Sequence, residues 1–140
     1  MFYKKFDSKY VIRLEKGEEI VASLKKFCTE NGIKAGSVQG IGASNDLSIG
    51  FFKTAEKKFY PREFKGDFEI TSLMGNISTF NDEPVLHLHI NIADSDNNVH
   101  GGHLNSAVIS VTFEIILDPI NTEIKRVPNQ EVGLNLMDLG

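Results

Sequence analysis

The sequence predicts an α+β domain in which one helix near the N-terminus accompanies a mostly antiparallel β-sheet. Three observations lead to this class. One segment has helical periodicity, the segments after it alternate apolar and polar residues, and clusters of turn-forming residues separate those segments. A run of short strands after a lone helix is typical of antiparallel α+β domains.

The length and composition favour one globular unit. The chain has 140 residues, of which 41% are apolar, so we expect residues 1–140 to form a single domain with its own core. No apolar run approaches the roughly 20 residues that cross a bilayer. The first residues become charged again before a signal-peptide core develops. We therefore expect a soluble, cytoplasmic protein that does not associate with membranes.

The helix is predicted within residues 16–32, "KGEEIVASLKKFCTENG". Acidic residues stand at its start, lysines stand late, and Asn31-Gly32 provides a stop. Its apolar side chains share one face, namely Ile20, Val21, Leu24, Phe27 and Cys28. Cys28 is the single cysteine, which excludes an internal disulfide, and we interpret it as a small core residue.

One short strand, "YVIRLE", precedes the helix, and six strand-like segments follow it. These six are "AGSVQGIGA", "LSIGFFK", "KKFYPREF", "DFEITSLMGNIS", "VLHLHINIA" and "NSAVISVTFEIIL". We expect breaks at the turn signals "SND", "FNDEP" and "DSDNN". The last segment is apolar on both faces near its ends, and one helix cannot cover a second sheet face. The pattern therefore indicates that another subunit covers it.

Two function classes are disfavoured by the sequence. The net charge is −4, from fifteen basic and nineteen acidic residues, and the basic residues are dispersed beside acidic ones. The chain therefore lacks the cationic character that drives phosphate binding, which counts against autonomous DNA binding. The glycines of "GIGASN" are followed by a strand-like segment, whereas a dinucleotide fingerprint needs a helix there.

All four histidines lie within "VLHLHINIADSDNNVHGGHL", residues 85–104. In a strand, His87 and His89 point to one face while the alternating leucines point to the core. Their Cα atoms would be roughly 6.5–7 Å apart, so both rings can reach one metal at about 2.0–2.1 Å. A third ligand from "HGGH" would leave an open position that suits catalytic zinc, although imidazole also suits copper, nickel or iron.

A regular strand would put His103 on the wrong face. His103 shares its parity with Ala107, Ile109 and Phe113, which belong to the apolar face. Three devices would return it to the side of His87 and His89. These are a bulge near Asn105-Ser106, an irregular entry through the paired glycines, or a contribution from a neighbouring subunit.

The ordered motifs resemble a known family. "VIRLEKGEEIVASLKKFCTENGIKAGSVQGIGA", "GDFEITSLMGNIS", "PVLHLHINIAD" and "GGHL" follow one another as in the plant and prokaryote conserved (PPC) domain. The resemblance covers roughly residues 10–137. It implies an antiparallel α+β fold, a homotrimer, and a divalent metal held by His87, His89 and His103. His100 precedes the GGH motif at a position that the resemblance leaves outside the ligand set.

The resemblance implies less about activity. PPC proteins are often labelled DNA-binding, but in the plant members a Gly-Arg-Pro AT-hook carries the DNA contact, and this chain has no Gly-Arg-Pro. Plant-like motifs also commonly have Arg where this chain has Asp67 in "GDFEI". A basic DNA-binding face is therefore disfavoured here.

Three functions remain open from the sequence. The first is a trimeric, metal-binding PPC module associated with DNA or with transcription partners. The alternative is a small zinc-dependent enzyme, hydrolase-like, whose bound water becomes a nucleophile. Its general base would have to come from carboxylates such as Glu69, Asp94 or Asp96, which an ordinary turn or edge role explains better. The third is a metal that only fixes the trimer.

Overall fold

The computed structural model describes all 140 residues as eight strands, one α-helix and a short 3-10 turn. The elements in chain order are β1 Phe2–Phe6, β2 Lys9–Glu15, α1 Ile20–Glu30, β3 Gly36–Lys53, the 3-10 turn Thr54–Glu56, β4 Lys58–Phe80, β5 Glu83–Ala93, β6 Val99–Pro119, β7 Arg126–Asn129 and β8 Leu134–Met137. No helix is long and apolar enough to cross a membrane.

The main sheet has six antiparallel strands in the order β1-β2-β6-β3-β4-β5. Strand β5 also pairs with the first part of β6, so that β3, β4, β5 and β6 close into a ring. The inward-facing side chains of these strands, with β2 and the helix, form one core of 23 buried residues. The predicted fold class, a mostly antiparallel sheet with one main helix, is confirmed.

Helix α1 begins and ends where the sequence indicated. The Glu19 side chain accepts hydrogen bonds from the backbone N–H groups of Val21 and Ala22, at 3.0 and 2.6 Å, and so caps the N-terminus. Asn31 caps the other end. Cys28 is fully buried among apolar side chains, and this burial raises the pKa of its thiol to about 12, which keeps it protonated and unreactive.

The sheet differs from the predicted strands in two places. A turn was expected at "SND", but β3 runs through it without a break. The pairing of β3 shifts register on either side of Ser44, whose buried hydroxyl donates to the Val108 carbonyl at 2.6 Å. Strand β4 likewise joins two segments that were predicted to be separate. The turns at "FNDEP" and "DSDNN" are present and connect β4 to β5 and β5 to β6.

Three strands were not predicted at all. Every residue of β1 is exposed, so this edge strand has no apolar alternation by which to recognise it. Strands β7 and β8 pair only with each other as a short hairpin of four residues each. The hairpin is attached to β4 by the Thr79 backbone N–H, which donates to the Ile124 carbonyl at 2.8 Å.

Candidate metal centre

Strand β5 presents His87 and His89 on the outer face of the sheet. The residues between and after them, Leu88 and Ile90, are 1% exposed and belong to the core, as the alternation predicts. Both histidines are exposed. The strand thus supplies core packing on one side and two imidazoles on the other.

A bulge in β6 brings His103 to the same face. Ser48 of β3 faces Ser106, but its neighbour Ile49 faces Leu104, so Asn105 is an extra residue in β6. Because of this extra residue, Leu104 and Ala107 both point into the core, and His103 points outward. The bulge lies at the position near Asn105-Ser106 where a bulge was one of the three alternatives for His103. No second subunit is needed to align the histidines.

The three histidines form one compact cluster. One ring nitrogen of each lies within 4.8 Å of those of the other two, and the ring centroids are 5.1, 5.3 and 5.6 Å apart. Tetrahedral coordination at about 2.05 Å would bring the nitrogens to about 3.4 Å from one another. The exposed rings of His87 and His89 can make that approach by side-chain rotation, so the donor set fits a metal ion.

An aromatic ring supports the buried side of the cluster. Phe59 meets His103 edge-on at a centroid distance of 5.5 Å. Its ring occupies the space over Gly50, the residue opposite His103 in β3, where an added Cβ would lie 1.7 Å from the Phe59 ring. Glycine is required at position 50 for this packing, which restricts the motion of His103.

The cluster favours neutral imidazoles. Burial lowers the pKa of His87 below its usual value, and the neighbouring His89 and Arg126 lower it further. Burial also lowers the pKa of His103, with His87 and His89 adding to the effect. Since only a neutral imidazole has a free lone pair, these shifts keep both side chains competent as ligands near neutral pH.

His100 stands apart from this cluster. Its Nε2 lies 3.6 Å from an Asp94 carboxylate oxygen, and its ring contacts Phe64 at a centroid distance of 5.3 Å. The carboxylate of Asp94 also accepts hydrogen bonds from the backbone N–H groups of Asp96 and Asn98, which holds the β5–β6 turn. None of the candidate bases, Glu69, Asp94 and Asp96, belongs to the histidine cluster.

Arg126 was not among the predicted site residues. The guanidinium donates from Nε to Ser78 Oγ at 2.7 Å, from Nη1 to the Asn135 carbonyl at 2.8 Å and from Nη2 to Asn76 Oδ1 at 3.4 Å. Asn76 is the direct partner of His87 in the β4–β5 pairing, so the guanidinium lies beside the cluster. No pattern in the segment "EIKRVPNQ" predicts that Arg126 lies beside the cluster, because its location depends on the β7–β8 hairpin folding onto β4.

The cluster also borders an apolar stretch of the outer face. Direct cross-strand partners share a face, and one row of them crosses the sheet from β2 to β5. The row consists of Val11, Ile116, Gln39, Met74 and His89. A cavity of about 420 Å³ lies along this row, and Ile41 also lines it. The metal-ligand candidates therefore stand at one end of an exposed apolar band, which we call the outer band.

Fold and site together define a single-helix antiparallel β-protein with a three-histidine cluster on the outer face of its sheet. Residues 1–121 match the family model of the Plants and Prokaryotes Conserved (PCC) domain, and the chain belongs to that family. The resemblance noted from the motifs is confirmed.

Solved structures agree with this assignment. A Bacteroides thetaiotaomicron protein named a "putative DNA binding protein" is 39% identical, with a TM-score of 0.95 over 98% of this chain and 96% of that one. A metal-containing protein from Archaeoglobus fulgidus is 29% identical, with a TM-score of 0.89 over 98% of both chains. A plant- and prokaryote-conserved protein from Pyrococcus horikoshii is 30% identical, with a TM-score of 0.86 over 98% and 93%.

One curated relative is much longer than this chain. The bifunctional protein GlmU of a Synechococcus strain is 26% identical over 127 residues, which are 89% of this chain. The matched part is 19% of the length of that relative.

Proposed function

We propose that this protein binds one divalent metal ion, with zinc the best-suited ion, through His87, His89 and His103. The observation that carries the proposal is the cluster itself, in which three ring nitrogens lie within 4.8 Å of one another. The similar Archaeoglobus fulgidus protein that is named metal-containing adds support. Neutral imidazole is a strong ligand for zinc and for neighbouring transition metals.

Two strands supply the proposed ligands. Strand β5 supplies His87 and His89 at the spacing of one pleat, and the Asn105 bulge supplies His103 from β6. The closed ring of strands fixes both elements relative to one another. A bound ion would provide a Lewis acid with at least one position left for a further ligand.

Elemental analysis tests the proposal directly. Protein purified without an affinity tag or chelator should contain about one metal ion per chain, with zinc the main element. Reconstitution of stripped protein with zinc, copper, nickel and iron under competition would identify the preferred ion. Protein that takes up none of these ions would contradict the proposed function.

We propose that the chain assembles as a homotrimer through the outer band. Three apolar side chains of this region, Val11, Ile41 and Met74, are 42%, 58% and 66% exposed. Exposed apolar surface of this extent on a small protein favours a contact with another chain. Because the band ends at His89, assembly through it would bring a neighbouring subunit close to the metal.

We propose that any role in transcription runs through the assembled trimer and its protein partners. The name of the similar Bacteroides protein associates that protein with DNA. The net charge of −4 and the absence of an AT-hook argue against strong contacts between this chain and DNA. Pull-down with and without nuclease treatment would distinguish protein partners from contacts bridged by DNA.

The alternative is a small zinc-dependent enzyme, hydrolase-like, built on the same three histidines. The exposed position of His87 and His89 supports it, because a substrate can reach a metal bound there. The lack of a carboxylate in the cluster weighs against it, since metal-dependent hydrolysis normally uses a general base. A screen of ester and phosphoester substrates with zinc-loaded and stripped protein would decide between an enzyme and a metal-binding protein without catalytic activity.

A further inference from the structure

Arg126 gives the histidine cluster a second feature, a fixed positive charge beside the proposed metal. We propose that the metal and Arg126 together form a binding site for a small oxyanion, such as a carboxylate or a phosphate group. This inference rests on the metal-binding function proposed above. It assigns a ligand class to the position that the three histidines leave open.

The hydrogen bonds of Arg126 leave part of its guanidinium available. A guanidinium has five N–H donors, and Arg126 uses three of them on Ser78, Asn135 and Asn76. Two donors therefore remain without a protein acceptor. Arginine is the residue best matched to oxyanions, because its planar donors pair with two oxygens of a carboxylate or phosphate.

The three bonds that Arg126 does make hold it in place. The Nε bond to Ser78 and the Nη2 bond to Asn76 both run to the outer face of β4, next to His87. The Nη1 bond joins it to the β7–β8 hairpin. A guanidinium that three hydrogen bonds already hold in one position loses little conformational entropy when it binds a ligand.

No salt bridge neutralises this charge. The ion pairs of the chain involve other basic groups, and none includes Arg126. The cluster contains three neutral ligands and no carboxylate, so a bound divalent ion would keep its full charge. An ion bound by the histidines and the guanidinium near His87 would both attract an anion. The immediate polar neighbour, Asn76, is uncharged and adds no negative charge.

Cobalt(II) provides the probe, because its visible absorption reports changes in coordination. Cobalt-loaded protein would be titrated separately with acetate and with inorganic phosphate at constant ionic strength. We expect a saturable spectral shift with at least one of the two anions. Arg126→Gln should weaken that binding by about tenfold or more while cobalt affinity changes little, because the variant loses a charged hydrogen-bond donor and no metal ligand.

Two further variants make the experiment decisive. Arg126→Lys keeps the charge but loses the planar fork, so its anion affinity should lie between those of the wild type and Arg126→Gln. If the Gln variant does not fold, the anion affinity of Arg126→Lys is compared with that of the wild type instead. Arg13→Gln removes the same charge from an exposed arginine on β2 and should bind anions as the wild type does.

The outcomes separate the two proposals. Cobalt binding without any anion-dependent shift would overturn the oxyanion site and leave the metal site intact. Equal anion affinity in the wild type, Arg126→Gln and Arg126→Lys would do the same, since the anion would then bind the metal alone. Failure to bind cobalt would overturn both proposals.

Discussion

His89 and His103 face each other as direct partners in the antiparallel pairing of β5 and β6, with ring centroids 5.6 Å apart and ring planes at 87°. His103 also faces Gly50 of β3, so its backbone is held from both sides. His87 lies one pleat from His89 on the same strand. Backbone pairing therefore positions all three imidazoles before any ligand binds, which reduces the entropic cost of binding a metal.

The first prediction concerns the metal ligands. His87→Ala, His89→Ala and His103→Ala should each lose most of the bound metal, because each removes one of the three proposed protein ligands. His100→Ala is the matched control and should retain it, since His100 interacts with Asp94 instead. Elemental analysis of tag-free protein gives the result. Stoichiometric metal in a His87→Ala/His89→Ala double variant would place the site elsewhere.

The second prediction concerns the bulge. Deleting the extra residue Asn105 should make the pairing of β6 with β3 regular, with Ser106 opposite Ser48 and Leu104 opposite Ile49 as before. We expect the variant to keep its metal, because Leu104 stays in the core and His103 stays on the outer face opposite His89. Metal content measures this outcome, and urea denaturation measures the stability of the variant.

Asn105→Ala is the control for the deletion. It keeps the residue count, and the Asn105 side chain makes only a long hydrogen bond of 3.4 Å to Ser48. This variant should therefore keep both its metal and most of its stability. Loss of metal from the deletion variant, with Asn105→Ala retaining it, would contradict this account of the register.

The sequence predicted the parts of the molecule that depend on local patterns. The helix followed from its apolar face and end signals, and the outward direction of His87 and His89 followed from alternation with Leu88. These features are set within a few residues. Parity alone made a regular strand incompatible with the cluster, and of the three alternatives that the sequence left open for His103 the structure has the first, a bulge at Asn105.

The features that the sequence did not predict depend on distant partners. Strand β3 continues through "SND" between β4 and β6, and there the Ser44 hydroxyl donates to the carbonyl of Val108, 64 residues away. The place of Arg126 depends on bonds to Ser78 and Asn76, 48 and 50 residues away. No spacing rule within a segment encodes such contacts.

The third prediction concerns assembly. Light scattering at micromolar concentration should give about three times 15.6 kDa. Ile41→Asp should shift the protein toward smaller species, because it places a charge in the outer band that the proposed interface would bury. Phe51→Asp changes another exposed apolar residue, outside the band, and should remain trimeric. A monomeric wild type would contradict the proposed trimer.

The fourth prediction concerns DNA. With a net charge of −4, the isolated protein should bind duplex DNA no more tightly than non-specific proteins do, with a Kd on the order of 10⁻⁴ to 10⁻⁶ M at physiological salt. Fluorescence anisotropy with several duplexes at two salt concentrations measures this. Nanomolar binding to one sequence, weakened by salt, would show that a local basic surface outweighs the net charge.

The last prediction concerns the pH dependence of stability in the metal-free protein. Burial and neighbouring positive charge lower the pKa values of His87 and His103 in the folded state, whereas in the unfolded chain both side chains have a pKa of about 6.5. As the pH falls below that value, the unfolded state binds more protons than the folded state, so the free energy of unfolding decreases. Urea denaturation of chelator-treated protein at several pH values between about 7.5 and 5.5 should show this decrease. A His87→Asn/His103→Asn double variant should show a smaller decrease, and a wild type whose stability rises on acidification in this range would contradict the argument.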